Sequence, residues 1–452
     1  MRYFLAFFLC AVSSAAFAAP ACLNTHPASC FENPFSSGTQ SCGTHAGTSG
    51  DPLVCWTDFL SNAQFGDQVT LNTGTYSVEL FIPASFGGST SNGYVKMYGA
   101  GTIPADGIQG PSATHAIINA AGRDIFFTIG WTNVDIRNIE FANGNTANTA
   151  CGFMQTTGSG PGPVGSHLIF RHNLVDSCGS DSIQFAGMDY LDEQWNIIHN
   201  NGSAEGTFSQ SAIHLYQFTN SDTLPGYHNI INGNLIYLES KGTGAGTDGM
   251  GIEFDDFDGT QNSWCTNHAS GCPYTGASLV TNNQIAFNDG DCIHWFSSTH
   301  TGFDGWNNSC FKNDAAQASG GVYGELSVNG ATTGVNLYNN IIVPQSSSYY
   351  AVNLDAATTV TIDYNDYFGA AGNVTQTGSS GITIGSHSVT GNPLLRFANA
   401  TVPNLTPAPG SAAFGVGNLT HTTLLDYSNS TRTGFLSNCS GAKIDIGAKE
   451  LN

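Results

Sequence analysis

The densest chemistry in this 452-residue chain lies in Asp248-Gly-Met-Gly-Ile-Glu253-Phe-Asp255-Asp256-Phe-Asp258-Gly259, where five carboxylates fall in eleven residues. Such a run repels itself unless a cation or shared protons relieve it. Three chemistries suit it. A hard cation such as Ca²⁺ would be held by carboxylates from adjacent strands, with Asp248, Asp256 and Asp258 as ligands. General acid/base catalysis would use Glu253 and Asp255, which fall on one face of an extended strand about 6.8 Å apart at Cα, a spacing that suits the wider carboxyl separation of an inverting glycosidase. A transition metal would take His214, Glu253 and His294 together. A solvated acidic loop competes with all three, because Asp-Phe-Asp-Gly-Thr is turn-like. Basic groups are scarce, 11 Lys+Arg against 33 Asp+Glu. Arg171, Lys241 and Lys312 therefore each count as a base for proton abstraction beside a carboxylate or as a substrate clamp, against a structural role for each.

The elements that would position these groups show as a repeat. Asn173, Asn196, Asn234, Asn283, Asn308, Asn340 and Asn365 each occupy one phase of a similar segment, and Asn138 fits with a one-residue offset. Seven steps from Asn138 to Asn365 average about 32 residues. Asn side chains stacked at a turn can bond one another along an axis and satisfy turn backbone. After each Asn comes a segment reading small, apolar, polar, apolar: Ser182-Ile-Gln-Phe185, Ala212-Ile-His-Leu215, Gly251-Ile-Glu-Phe254, Cys292-Ile-His-Trp295, Gly321-Val-Tyr-Gly324 and Ala351-Val-Asn-Leu354. Period-two alternation means a strand with one buried face. Fixed strands with irregular insertions point to a solenoid, whose insertions map to loops. A β-sandwich gives no reason for an Asn at one phase.

In that register Ile183, Ile213, Ile252, Ile293, Val322 and Val352 point inward. Gln184, His214, Glu253, His294, Tyr323 and Asn353 form one outward column, and Ala186, Tyr216, Asp255, Phe296, Glu325 and Asp355 form a second. Equivalent positions on successive rungs stack about 4.8 Å apart. Imidazoles, carboxylates and aromatic rings on one face suit a sugar, since rings stack on aromatic faces and carboxylates accept hydroxyl hydrogen bonds. Glu253, Asp255, His214 and His294 are the expected catalytic set, with Tyr216, Tyr323, Gln184, Arg171, Lys241 and Lys312 as substrate contacts.

Composition narrows the classes further. Charged residues make up 10% of the chain and glycine numbers 55. That composition excludes a disordered polyelectrolyte and disfavours a helical protein. A net charge of -22 makes nucleic-acid binding untenable, because phosphate contacts need Lys and Arg. Residues 1–18 read as a signal peptide, with Arg2, an apolar stretch and Ala16-Phe17-Ala18 before the cut. That stretch is too short to span a bilayer, so a secreted, extracellular or periplasmic, soluble monomer is expected. Eleven cysteines remain after cleavage, and in an exported protein they are expected to form disulfides with one thiol left over. Cys22–Cys30, Cys42–Cys55 and Cys265–Cys272 are close pairs, and the connectivity of the rest stays open.

The chain resembles the right-handed parallel β-helix proteins of the pectate-lyase-like kind. Phe65-Gly-Asp-Gln-Val-Thr-Leu-Asn-Thr-Gly-Thr-Tyr76 looks like their first rung and Tyr94-Val-Lys-Met-Tyr-Gly-Ala-Gly-Thr102 like the next. Gly391-Asn-Pro-Leu394, Pro407-Ala-Pro-Gly-Ser-Ala412 and Asp445-Ile-Gly-Ala-Lys-Glu450 resemble their ends. The resemblance implies an all-β chain: an N-terminal disulfide-bearing cap at 19–55, one right-handed parallel β-helix at 56–395 and a C-terminal capping segment at 396–452. It also implies a carbohydrate-active protein acting on an extracellular polysaccharide as lyase or glycoside hydrolase, or else a non-catalytic binding or adhesive β-helix. No catalytic set of a particular member maps onto the chain. Gly290-Asp-Cys-Ile293 resembles one polygalacturonase motif, but that group's Gly-His-Gly and Arg-Ile-Lys are absent.

Overall fold

The computed structural model describes residues 29–33, 46, 48–53, 64, 66–77, 80–82, 93–104, 114–120, 126–128, 132–144, 152–155, 165–179, 182–204, 211–242, 248–261, 264–267, 271–300, 302–315, 324–398, 401–432 and 444–449. The expected signal peptide and most of the expected N-terminal cap lie outside them.

Three sheets of parallel strands wind round one core. A long sheet has twelve strands from Ser29–Glu32 to Thr383–Ile384. A second, the ladder sheet, has ten strands from Gly74–Ser77 to Asp366–Tyr367. A third, the site sheet, has ten from Leu80–Ile82 to Gly372–Thr377. One rung visits each in turn: Met188–Gln194, then Ile197–His199, then Ile213–Tyr216, before Tyr227–Asn232 returns to pair beside the first strand. A parallel crossover of this kind is right-handed, and the chain is a right-handed parallel β-helix. Among the described residues the only α-helix is the single turn Trp264–Asn267, and no helix is long and apolar enough to cross a membrane.

The alternation forecast from sequence builds the interior. Ile183, Phe185, Ile213, Leu215, Ile252, Phe254, Ile293, Trp295, Val352 and Leu354 are all buried in one continuous cluster, joined by Leu326 and Val328 on the rung where Val322 was expected inward. At about 25 cal/mol per Å² of apolar surface, such stacking is the main force holding successive rungs together.

The asparagines make a ladder at the corner between the long and ladder sheets. Each Oδ1 accepts the backbone N–H of the preceding ladder residue, at 2.8 Å from Asn173 to Asn196 and 2.9 Å from Asn234 to Asn283, continuing through Asn308, Asn340 and Asn365. Each Nδ2 donates to the carbonyl of a long-sheet residue, as Asn340 does to Gly305. The residue before each ladder position turns the chain with positive φ, including His172 (55°), Trp195 (56°) and Asn339 (57°). Asn138 shows the one-residue offset expected of it. It takes this turning position (58°), and Ile139 stands at the ladder position, its N–H meeting Asn173 Oδ1 at 3.1 Å.

A second ladder marks the corner between the ladder sheet and the site sheet. It runs Asn201, Glu239, Asn288, Asn313 and Glu325. Asn313 donates to both oxygens of Glu325, at 2.9 and 2.7 Å. The disulfides Cys265–Cys272 and Cys292–Cys310 are formed, the first as expected and the second joining cysteines that sequence proximity did not pair. Part of the C-terminal stretch lies along the first ladder. Buried Arg432 donates to Asn282 Oδ1 at 2.7 Å, and His421 stacks on Tyr338 at 3.8 Å.

Candidate active site

The outer face of the site sheet brings the chemistry together. Strand register places Gln184 beside His214, His214 beside Glu253, and Glu253 beside His294. In the parallel column Ala186, Tyr216, Asp255 and Phe296 follow one another. Beyond His294 the expected register fails. The next strand is Gly324–Asn329, so Ser327 and Asn329 stand where Tyr323 and Glu325 were expected. The reason is the apolar pair: Leu326 and Val328 fill the core, which fixes Ser327 outward. Tyr323 lies outside the described residues.

The column faces outward, yet it is buried. His214 is 8% exposed, Glu253 5% and His294 9%. Ser211 Oγ donates to Glu253 Oε2 at 2.6 Å, Gln261 Nε2 donates to Asp255 Oδ1 at 3.2 Å, and Gln184 Nε2 lies 3.1 Å from His214 Nδ1. His214 Nε2 is 3.9 Å from Glu253 Oε2 and 3.7 Å from Asp255 Oδ2. One donor atom from each of the three lies within 4.8 Å of the other two. The carboxyls of Glu253 and Asp255 are therefore closer than the roughly 6.5–9.5 Å of an inverting pair, which corrects the wider separation expected from strand geometry. Both side chains lean toward His214 rather than standing apart.

Burial raises the proton affinity of Glu253 well above the usual carboxylate range, and the charges of Asp248 and Asp255 add to the rise. Burial works the other way on His294, lowering it to about 4 and keeping it neutral. His294 Nε2 lies 3.2 Å from Asn329 Nδ2. The ring of Tyr216 is 5.7 Å from His214, and that of Phe296 is 6.0 Å from His294.

The other carboxylates of the acidic run go elsewhere. Asp256 is fully buried and accepts from Gln217 Nε2, the Thr260 amide and hydroxyl, and the Gln261 amide, all between 2.7 and 2.9 Å. Asp258 accepts from the amide and hydroxyl of Thr299 at 2.9 Å. Both brace the loop that leaves the strand. Among the described residues Asp248, Asp256 and Asp258 do not form a three-ligand group. Arg171 lies on the long sheet, where its guanidinium pairs with Asp192 and lies over Trp195. Lys312 follows the ladder-sheet strand Ser309–Phe311, its ammonium over Phe311. The Lys241 Cβ packs against Gly249, at the approach to the site strand.

The structure adds groups that sequence reading passed over. Asp291 and Asp314 share a hydrogen bond, and Ser327, neighbour of His294 in the column, also bonds Asp291. Burial raises Asp291 well above its usual range, Asp314 to about 7 and Glu325 to about 8. No single-letter pattern marks them, since they come from a loop, a turn and a strand edge. Cys292, Cys310 and Glu325 also cluster, but the two sulfurs are bonded to each other.

No protein-family model matches the chain, and no curated protein does. Among solved structures it is similar to the pectate lyase Pel9A, with a TM-score of 0.43 and 11% identity over 96% of this chain and 100% of that one. It is similar to XylC in complex with xylose, with a TM-score of 0.41 and 10% identity over 94% and 98%. The A-module of the Azotobacter vinelandii mannuronan C-5 epimerase AlgE4 gives a TM-score of 0.33 and 14% identity over 71% of this chain and 91% of that one.

Proposed function

We propose that the protein is a secreted carbohydrate-active enzyme that cleaves glycosidic bonds in an extracellular polysaccharide laid along the outer face of the site sheet. One observation carries the reading. Two imidazoles and the Glu253 carboxyl from three consecutive rungs are buried together, with the Asp255 carboxyl partly covered beside them, on a face that an ordinary solenoid leaves to solvent. Desolvating such groups costs stability, and perturbed titratable groups gathered in one place favour a working site. Glu253, Asp255 and His214 are the reacting centre, with His294 beside it. Gln184, Tyr216 and Phe296 line the sugar path, rings offering stacking surface and the amide bonding hydroxyls.

The excess of 33 acidic over 11 basic residues repels a polyuronate and favours a neutral glycan, hence hydrolysis over elimination. A panel of neutral and acidic polysaccharides tests this. New reducing ends without ultraviolet absorbance from an unsaturated uronate are expected. Absorbance growth would replace hydrolysis by elimination. Silence across the panel, with binding retained, would make the protein a non-catalytic glycan binder.

A further inference from the structure

We propose that His214 Nε2, Glu253 Oε2 and Asp255 Oδ2 are the protein ligands of a divalent transition-metal ion. This deepens the reading above and rests on it only for what fills the open coordination positions. Three observations carry it. His214 Nε2 lies 3.9 Å from Glu253 Oε2 and 3.7 Å from Asp255 Oδ2, and one donor atom from each of the three residues lies within 4.8 Å of the other two. These separations exceed a hydrogen bond and fit the edges of a coordination polyhedron with bonds of about 2.0–2.2 Å after a small inward turn of the side chains.

Each ligand also has its own supporting partner: Gln184 for His214, Ser211 for Glu253 and Gln261 for Asp255. Gln261 holds Asp255 Oδ1 and leaves Oδ2 directed at His214. Turning the Gln184 amide over places its oxygen against Nδ1–H of His214, which leaves the Nε2 lone pair for the ion. Orienting contacts of this kind are what metal ligands require.

Finally, Glu253 is 5% exposed and the Asp255 side chain 17%, and no Lys or Arg forms an ion pair with either among the described residues. A bound cation supplies the missing positive charge.

The donor set selects the metal class. An imidazole nitrogen with two carboxylates suits Zn²⁺, Mn²⁺, Fe²⁺ or Co²⁺. Ca²⁺ takes six to eight oxygens, and nitrogen is foreign to its sites. Three protein ligands leave at least one position open for water or a sugar hydroxyl, as in catalytic rather than structural sites.

The test uses the full mature chain with any affinity tag removed. The protein is stripped with a chelator, dialysed and titrated with Co²⁺, Zn²⁺ or Ca²⁺. One equivalent of Co²⁺ should bind with visible d–d absorption, and Zn²⁺ should displace it and raise the melting temperature. Ca²⁺ should do neither. Gln184→Ala should weaken Co²⁺ affinity by about 10- to 100-fold while leaving the fold intact, and His214→Ala should abolish the absorption. Absence of stoichiometric Co²⁺ binding, or binding unchanged in His214→Ala, overturns the proposal. Equal binding of Ca²⁺ overturns the assignment of metal class. Metal binding by a protein silent on every polysaccharide would keep this site and sink the glycan reading, and metal-independent cleavage would do the reverse.

Discussion

Asn283→Ala should cost this protein about 3–5 kcal/mol. The side chain is fully buried and makes four hydrogen bonds. Its Oδ1 accepts the Asn234 amide at 2.9 Å and the Asn234 side chain at 3.0 Å. Its Nδ2 donates to Ile231 O at 3.1 Å and to Asn308 Oδ1 at 2.9 Å. Each such bond contributes about 1 kcal/mol net, and a buried donor left unmet costs about 1–3 kcal/mol more. The Asn234 backbone N–H is that donor. Asn308 Oδ1 keeps the Asn283 amide, and Asn234 Nδ2 keeps Glu193 O, which limits the loss. Asn232→Ala is the control. It lies two residues before a ladder position and is half-buried; it donates to Gln194 Oε1 and accepts from Asn282 Nδ2, both at 2.8 Å, and because water can replace both partners its loss should stay within about 1–2 kcal/mol. Urea unfolding followed by circular dichroism reads both. Equal losses, or a loss at Asn283 below about 1 kcal/mol, would refute the ladder as a brace of the solenoid.

Stability should fall as pH rises from about 5 to 9. Burial holds Asp314 at about 7, Asp366 at about 7 and Glu325 at about 8. The folded chain then keeps protons that the unfolded chain releases above about pH 4. The stabilisation is complete below that value and is lost through the folded values. Around Asp314 and Glu325 stand Asp291, Asn313 and Ser327, and Asp314→Asn should flatten the slope; a melting temperature that climbs over this range would contradict the sign. Removing the Cys292–Cys310 bridge by paired serine substitution opens a link across 18 residues and should cost about 3 kcal/mol, read by urea midpoint. No loss there would mean that the neighbouring rungs already confine both residues. In metal-free protein Glu253→Gln should raise the melting temperature, because it removes a desolvated carboxyl crowded by Asp248 and Asp255; a fall would show that Glu253 supports the fold.

The solenoid was readable because one corner reuses one residue type and the strands alternate strictly, so Asn173 through Asn365 and the inward Ile and Phe column appear in phase. The second corner hid because Asn201, Glu239, Asn288, Asn313 and Glu325 mix two residue types with equivalent roles as acceptors. Sequence placed His214, Glu253, Asp255 and His294 on one face. It could not show that the face is buried, since that depends on what covers it. It misassigned the rung after His294 because Gly321-Val-Tyr-Gly324 and Glu325-Leu-Ser-Val328 both alternate, and only packing chooses Leu326 and Val328. The five carboxylates looked like one cluster because chain proximity was taken for spatial proximity. Asp256, in a positive-φ turn of 50°, sends itself and Asp258 into the loop while Asp255 stays at the site.

The central claim is that the His214–Glu253–Asp255 face cleaves a polysaccharide. Its most direct test is the rate of new reducing ends on the responsive substrate of the panel, for wild type and for Asp255→Asn, with melting curves confirming that both are folded. Asp255 is the most accessible of the three, its side chain 17% exposed, so the substitution disturbs the fold least. The account predicts a fall of about 100- to 10,000-fold. Activity in the folded variant within a few-fold of wild type would contradict it.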